Sequence, residues 1–160
     1  MQVDWQNWQP TIRATLMFVR EGDRVLLIRK KRGFGMGKIN GPGGKLDPGE
    51  TEHECAVRET FEELGVMAHD AVKRGELWFQ FVDGLGMHVA VFMSERHDGE
   101  ATETEEAAPL WTEIDSIPFE KMWADDQHWL HRMLTGTENF MGKFTFDGDA
   151  MLWHEIDWTN

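Results

Sequence analysis

The stretch from Gly33 to Gly65 restricts this chain more than any other. Its first half, Gly33 to Gly49, holds seven glycines and two prolines, too many for a helix or a long strand. The second half opens on "DPGETE", a helix-entry signal with acids in the first turn. It predicts a helix over about Thr51 to Leu64, closed by Gly65 where a left-handed residue is favoured. The fold must therefore deliver a flexible glycine loop directly to the start of an acidic helix.

At roughly 100° per residue the helix sorts into two faces. Val57, Phe61 and Leu64 gather on one side, which is expected to pack on a sheet. Glu59, Glu62 and Glu63 gather on the other. Carboxylates this close repel each other, and a solvated acidic face is the ordinary reading of such a run. The alternative is half of a site for a hard divalent cation, with substrate phosphates and water completing an all-oxygen shell. Arg58 either orients a neighbouring carboxylate through paired N–H donors or forms a plain surface ion pair. The preceding glycines would let backbone approach phosphate oxygens closely.

The charge balance supports the cation reading. With 16 Lys+Arg against 29 Asp+Glu the formal charge is −13, which argues against a protein that tracks a nucleic-acid polymer through a basic face. Phosphate bound here is expected to arrive with a cation. The 160 residues fit one domain, 1–160. The one cysteine, Cys55, excludes an internal disulfide and is expected to be a small buried side chain. No apolar run reaches the roughly 18 residues of a membrane span, and the N-terminus lacks a leader pattern, so a cytoplasmic location and no membrane partner are expected.

Along the chain, "TIRATLMFV" and "RVLLIRK" read as a hairpin across "REGD". "GELWFQFVD" alternates so that Leu77, Phe79 and Phe81 share a face, and "GMHVAVFMSE" reads as the next strand. The acidic "DGEATETEEAA" reads as a loop, "PLWTEI" as a short strand, "DSIPFEKM" as a turn into a short helix and "DQHWLHRML" as a second helix. "NFMGKFTFDGDAMLWHEIDW" reads as two strands around "DGD". Strands of mixed direction with few helices predict an α+β chain, helices packed on a mixed sheet. In "KMWADDQHW" the adjacent Asp125 and Asp126 stand beside Trp123. One Asp reads as a helix cap, which leaves the second unexplained.

From Gly44, "GKLDPGETEHECAVRETFEELGV" resembles the Nudix box. The matching positions are Gly44, Glu50, Arg58, Glu59, Glu62, Glu63, Gly65 and Val66, while Thr60 fills a usually apolar slot. The resemblance implies a Nudix fold, an α/β/α sandwich with a central mixed β-sheet. It also implies hydrolysis of a nucleoside diphosphate linked to another group, with Mg²⁺, or alternatively Mn²⁺, held by Glu59, Glu62 and Glu63. Glu50 is then a brace acting through Arg58. Gly43, Gly44 and Lys45 lie on the substrate side, Gly43 also beside the metal.

Outside the box, "RVLLIRKKRGFGMGKINGPGGK", "WFQFVDG", "DSIPFEKMWADDQHW" and "GKFTFDGD" are similar to the animal-type MutT homologues, which hydrolyse oxidised purine nucleoside triphosphates such as 8-oxo-dGTP and 2-hydroxy-dATP. That likeness implies a purine stacked on Trp123, its edge read by Asn40, Asp125 and Asp126, with Phe34, Phe79 and Phe81 lining the pocket. It extends to Thr15 and Lys30 near the nucleotide and to Glu106 as a further metal ligand. Pro42 and Ala107 depart from an aromatic and a pocket methionine. The partner implied is a small nucleotide met by a monomer. Two readings compete: a general Nudix pyrophosphatase on ADP-ribose or dinucleoside polyphosphates, and a non-catalytic nucleotide-binding module, which the intact glutamates disfavour.

Overall fold

A computed structural model describes residues 1–160. In chain order the strands are β1 (Ile12–Glu21), β2 (Arg24–Lys30), β3 (Ile39–Asn40) and β4 (Gly43–Lys45), followed by helix α1 (Glu52–Leu64). After it come β5 (Met67–His69), β6 (Val72–Phe81), β7 (Gly86–Ser94), β8 (Arg96–Asp98) and β9 (Ala107–Glu113). Helix α2 (Leu130–Thr135) and the hairpin β10 (Asn139–Asp147) and β11 (Ala150–Thr159) complete the chain.

The sheet runs β11-β10-β6-β7-β1, with β4 and β2 both on β1 and with β3 and β9 both on β2. β1 is parallel to β7 and β6 parallel to β10, whereas the remaining neighbours are antiparallel. This is a mixed sheet with few helices, as the element pattern predicted.

Both faces of the central strands are buried, and the two-residue period of a strand divides their side chains between two cores. Phe18, Val25 and Leu27 join Trp129, Met133, Phe144 and Phe146 on the α2 side. Met17, Val19, Leu26 and Ile28 join Ala56, Leu64 and Val66 on the α1 side. Each fully buried side chain of this size contributes about 1.5–3 kcal/mol, so the helices are held by the sheet rather than by intrinsic propensity.

Several local expectations are corrected. β1 and β2 pair at only Arg20↔Val25 and Glu21↔Arg24. Beyond that tip they splay, because that edge of β1 passes to β4, while β7 holds the other edge. The splay is what lets the glycine loop enter between them. On α1 the buried residues are Cys55, Ala56, Thr60, Glu63 and Leu64, whereas Phe61 is 51% exposed. Small side chains face the sheet, and Thr60 hydroxyl donates to Ala56 carbonyl at 2.8 Å, which satisfies a polar group in an apolar slot. The second helix is reduced to a 3-10 turn at Asp126–His128 and the six residues of α2. Asp125 makes no capping bond, so its carboxylate is available for something else.

Candidate active site

Helix α1 starts where the sequence requires. Thr51 hydroxyl accepts from Glu54 N–H at 3.1 Å and Glu54 carboxylate accepts from Thr51 N–H at 3.0 Å, a reciprocal capping box. Gly65 closes the helix in the left-handed region, φ 74°, with its N–H on Phe61 carbonyl.

The glycine loop meets this helix at van der Waals limits. A Cβ on Gly43 would lie 1.9 Å from Thr15 carbonyl oxygen, and one on Gly44 would lie 2.4 Å from Glu59 Cδ. At Gly43 the clash is with backbone and only glycine fits, whereas a side chain at Gly44 would displace the Glu59 carboxylate. The backbone of both glycines thereby reaches the carboxylates, and Gly43 N–H points to Glu63 Oε2 at 3.4 Å.

Arg58 organises the acids. Its Nε and Nη2 donate to the two oxygens of Glu50 at 2.6 and 2.8 Å, its Nη1 donates to Glu59 at 2.9 Å and Glu62 at 3.2 Å, and its Nη2 also reaches Lys45 carbonyl at 3.1 Å. The guanidinium beside Glu50 holds that carboxyl down at about 2. Glu50 and the Lys45 carbonyl of the loop are thereby tied to the helix through Arg58.

Glu59, Glu63 and Glu106 each bring one carboxylate oxygen within 4.8 Å of the others. Glu62 stands outside this group, its side chain 54% exposed on Arg58. Glu106, from the acidic loop before β9, also accepts from Arg32 at 3.0 Å. Burial pushes the Glu63 carboxyl up to about 8, reinforced by the neighbouring charge of Glu59, and burial raises Glu59 despite Arg58. Three converging carboxylates, one of them 4% exposed, crowd acidic groups whose charge Arg58 on Glu59 and Arg32 on Glu106 only partly offset. An all-oxygen donor set of this kind suits a hard divalent cation.

From Glu63 a pocket runs inward. Its lining contains Thr15, Lys30, Phe34, Asn40, Gly43, Gly44, Lys45, Phe79, Phe81, Trp123, Asp125 and Asp126, which is every residue the sequence placed on the substrate side. Phe34 stacks on Trp123 at 5.2 Å and 13°, and Phe81 meets Trp123 edge-on at 6.1 Å. Asn40 Oδ1 accepts Gly41 N–H at 2.8 Å, which leaves its amide NH₂ as the donor. Thr15 shares a hydrogen with Cys55 Sγ at 3.2 Å.

At the blind end Asp125 and Asp126 are 1% and 3% exposed. Trp129 Nε1 donates to Asp125 Oδ2 at 2.9 Å, while Asp125 Oδ1 and Asp126 Oδ2 are buried with no partner. Burial raises both carboxyls, and Asp126 is raised further by the charge of Asp125. Two adjacent buried acids with one external donor favour holding a proton between them.

Sequence reasoning missed Met87, Val89 and Phe146 on the pocket wall. The signal was present in part: Met87 pairs with Phe79 and Phe146 with Phe81 across the sheet, so alternation from the known phenylalanines leads to them once the register is fixed. Ala107 is buried in the core on the α1 side and is not among the lining residues.

Residues 10–133 match the NUDIX domain. The chain is 43% identical to an oxidized purine nucleoside triphosphate hydrolase of Danio rerio, over 89% of this chain and 92% of that protein. It is 41% identical to the protein of the same description in Mus musculus, over 89% and 92% of the two chains. Among solved structures, a MutT protein from Bacillus halodurans superposes with a TM-score of 0.80 at 27% identity, covering 91% of this chain and 97% of that one. The chain belongs to the NUDIX domain family and is a Nudix hydrolase.

Proposed function

We propose that this enzyme hydrolyses oxidised or otherwise damaged purine nucleoside triphosphates to the monophosphate and pyrophosphate. One observation carries the reading. A single pocket joins a stacking aromatic and two orphan carboxyl oxygens at its blind end to the glutamate cluster at its mouth. Base recognition and phosphate chemistry thus share one elongated ligand. The two vertebrate relatives carry the corresponding description in their names.

Glu59, Glu63 and Glu106 would hold Mg²⁺, or Mn²⁺ in its place, with the Gly43 backbone beside it. When bound, the cation neutralises phosphate charge and acidifies a water. Glu62, solvent-facing and steadied by Arg58, is left to accept that water's proton. Arg58 fixes Glu59, and Glu50 fixes Arg58. Lys30 and Lys45 offer positive charge to the triphosphate, and Thr15 with Gly43 and Gly44 forms the close-fitting floor.

The purine stacks against Trp123 and Phe34, and its edge meets Asn40, Asp125 and Asp126. An ionised Asp only accepts, whereas a protonated one also donates. A pair holding one proton presents both, and redistributing that proton lets the same side chains read an oxidised guanine or an oxidised adenine. The residues involved run from Thr15 to Asp126, which supports reading the chain as one functional unit. Its place in this reading is as a monomer acting on the free nucleotides of the cytoplasm. No helix is long and apolar enough to cross a membrane.

The test is Mg²⁺-dependent turnover over 8-oxo-dGTP, 2-hydroxy-dATP, methylated purine dNTPs, the normal dNTPs and ADP-ribose. Turnover of the oxidised purines well above the normal ones is expected. Rapid ADP-ribose cleavage with no release from any modified dNTP would overturn the reading.

A further inference from the structure

A second cluster of metal-ligating side chains lies on the opposite face of the sheet from the purine pocket. Leu77 on β6 and Met87 and Val89 on β7 line that pocket. Their immediate neighbours Glu76 and His88 therefore point the other way, by the alternation of a strand. There they meet Glu52, in the first turn of α1. One ligand atom from each of Glu52, Glu76 and His88 lies within 4.8 Å of the others.

The histidine makes this more than an acidic patch. Its side chain is 9% exposed, with Nε2 3.4 Å from Glu76 Oε1 and Nδ1 3.8 Å from Glu52 Oε2. Nδ1 is fully buried and has no hydrogen-bond partner, although a buried ring nitrogen ordinarily finds one. Trp78 stands beside the ring at 6.5 Å. It is itself covered by Trp8 at 5.1 Å and Trp5 at 6.3 Å. The site thus has an aromatic wall on one side and an opening beside Glu52 and Glu76, whose side chains are 31% and 34% exposed.

A cationic group already sits at that opening. Lys73 Nζ donates to Glu52 Oε1 at 2.9 Å and to Glu76 Oε1 at 2.7 Å. The arrangement thus favours positive charge between the two carboxylates. Lys73 is a flexible side chain, 37% exposed, free to swing into solvent. Glu52 Oε2, on the His88 side, is not engaged by the lysine.

We propose that Glu52, Glu76 and His88 form a second divalent-cation site, selective for metals that take imidazole such as Zn²⁺, with Lys73 as a competing internal cation. One nitrogen and two carboxylates are an ordinary Zn²⁺ donor set, and Mg²⁺ discriminates against imidazole. Bonds of about 2.0–2.2 Å require the three ligand atoms to close up slightly, which rotation of the two partly exposed glutamates supplies. A bound ion would pin the first turn of α1 to β6 and β7. That turn lies seven residues before Glu59, so the site buttresses the helix that carries the other cluster without touching substrate.

The test is Zn²⁺ binding measured by competition with a chelating dye, using the full chain in a Glu59→Gln/Glu63→Gln background that dismantles the first cluster. One bound equivalent is expected, not displaced by millimolar Mg²⁺ and weakened at least about tenfold by His88→Asn. Glu52→Gln, in the solvent-accessible first helical turn, should weaken it similarly without threatening the fold. Lys73→Met should tighten it severalfold by removing the competitor. The proposal is overturned by absence of a bound equivalent even with Lys73→Met, or by binding in Glu52→Gln and His88→Asn as tight as in the parent protein.

Discussion

Glu59, Glu63 and Glu106 at the mouth of the pocket and Asp125 and Asp126 at its blind end use one functional group in two opposite ways. At the mouth three carboxylates converge from a helix and a loop, with Arg58 on Glu59, Arg32 on Glu106 and Glu63 buried. In the proposed function their repulsion is relieved by an added cation, so the charge is the working property. At the blind end the two aspartates are almost fully buried, with an indole N–H on one and an orphan oxygen on each. In the proposed function their repulsion is relieved by a shared proton, so the donor and acceptor pattern is the working property. Burial alone does not separate them, since Glu63 and Asp126 are 4% and 3% exposed; what differs is the company, with arginines on the neighbouring carboxylates at the mouth and a single indole donor at the blind end.

The largest effect that separates the two regions is expected from Glu59→Gln or Glu63→Gln. Loss of a cation ligand should lower kcat on the order of 10³-fold for every substrate alike, corresponding to several kcal/mol of lost charge stabilisation. Steady-state kinetics over the nucleotide panel checks it, and a loss confined to one purine would break the division. Next is Asp126→Asn, which fixes the donor. It should change kcat/KM for 8-oxo-dGTP and 2-hydroxy-dATP unequally, by roughly 10–100-fold for the purine that loses its partner. If Asp125→Asn and Asp126→Asn leave both substrates equally unaffected, the shared-proton idea is lost.

Arg58→Lys should cost less, about tenfold in kcat, because a lysine cannot hold Glu50 bidentately while also reaching Glu59. Its KM for the purine should be unchanged, since Arg58 touches no part of the purine end. The smallest effect concerns pH. Glu63 has its carboxyl raised from an ordinary 4.5 to about 8, so the folded state binds its proton more tightly than the unfolded chain does. The stability this gives is fully present below about pH 4.5 and is lost as the pH rises through 8. The metal-free melting temperature should therefore fall between pH 5 and 8. The raised carboxyls of Asp125 and Asp126 contribute in the same direction. Millimolar Mg²⁺ should shrink the Glu63 part and leave the aspartate part, which calorimetry with and without the cation resolves.

The two regions also differ in how far the sequence disclosed them. The mouth was legible because its parts are consecutive. Gly44, Glu50, Arg58, Glu59 and Glu63 lie within one loop and the helix that follows it, and helical periodicity brings Glu59 and Glu63 together, although it also grouped Glu62, which stands outside the cluster. The blind end is assembled from β3, β6 and the segment before α2, so no local period links Asn40, Phe79 and Asp126. Only the resemblance joined them. Phe61 was misplaced because the helix turns small residues to the sheet, and a hydrophobic-face argument ranks side chains by polarity and not by the space available. Met87 and Phe146 needed the strand register, which long-range pairing sets. Glu106 was named by resemblance, yet its convergence with Glu59 and Glu63 depends on the path of an acidic loop with no pattern of its own.

The division of labour is tested most directly by the ratio of kcat/KM for 8-oxo-dGTP to that for 2-hydroxy-dATP, measured in the wild-type enzyme, Glu63→Gln and Asp126→Asn. Glu63→Gln should depress both values and leave their ratio within about twofold of wild type, since a lost cation contact is blind to the base. Asp126→Asn should move the ratio by at least about tenfold. A ratio that shifts with Glu63→Gln and stays fixed with Asp126→Asn would contradict the account.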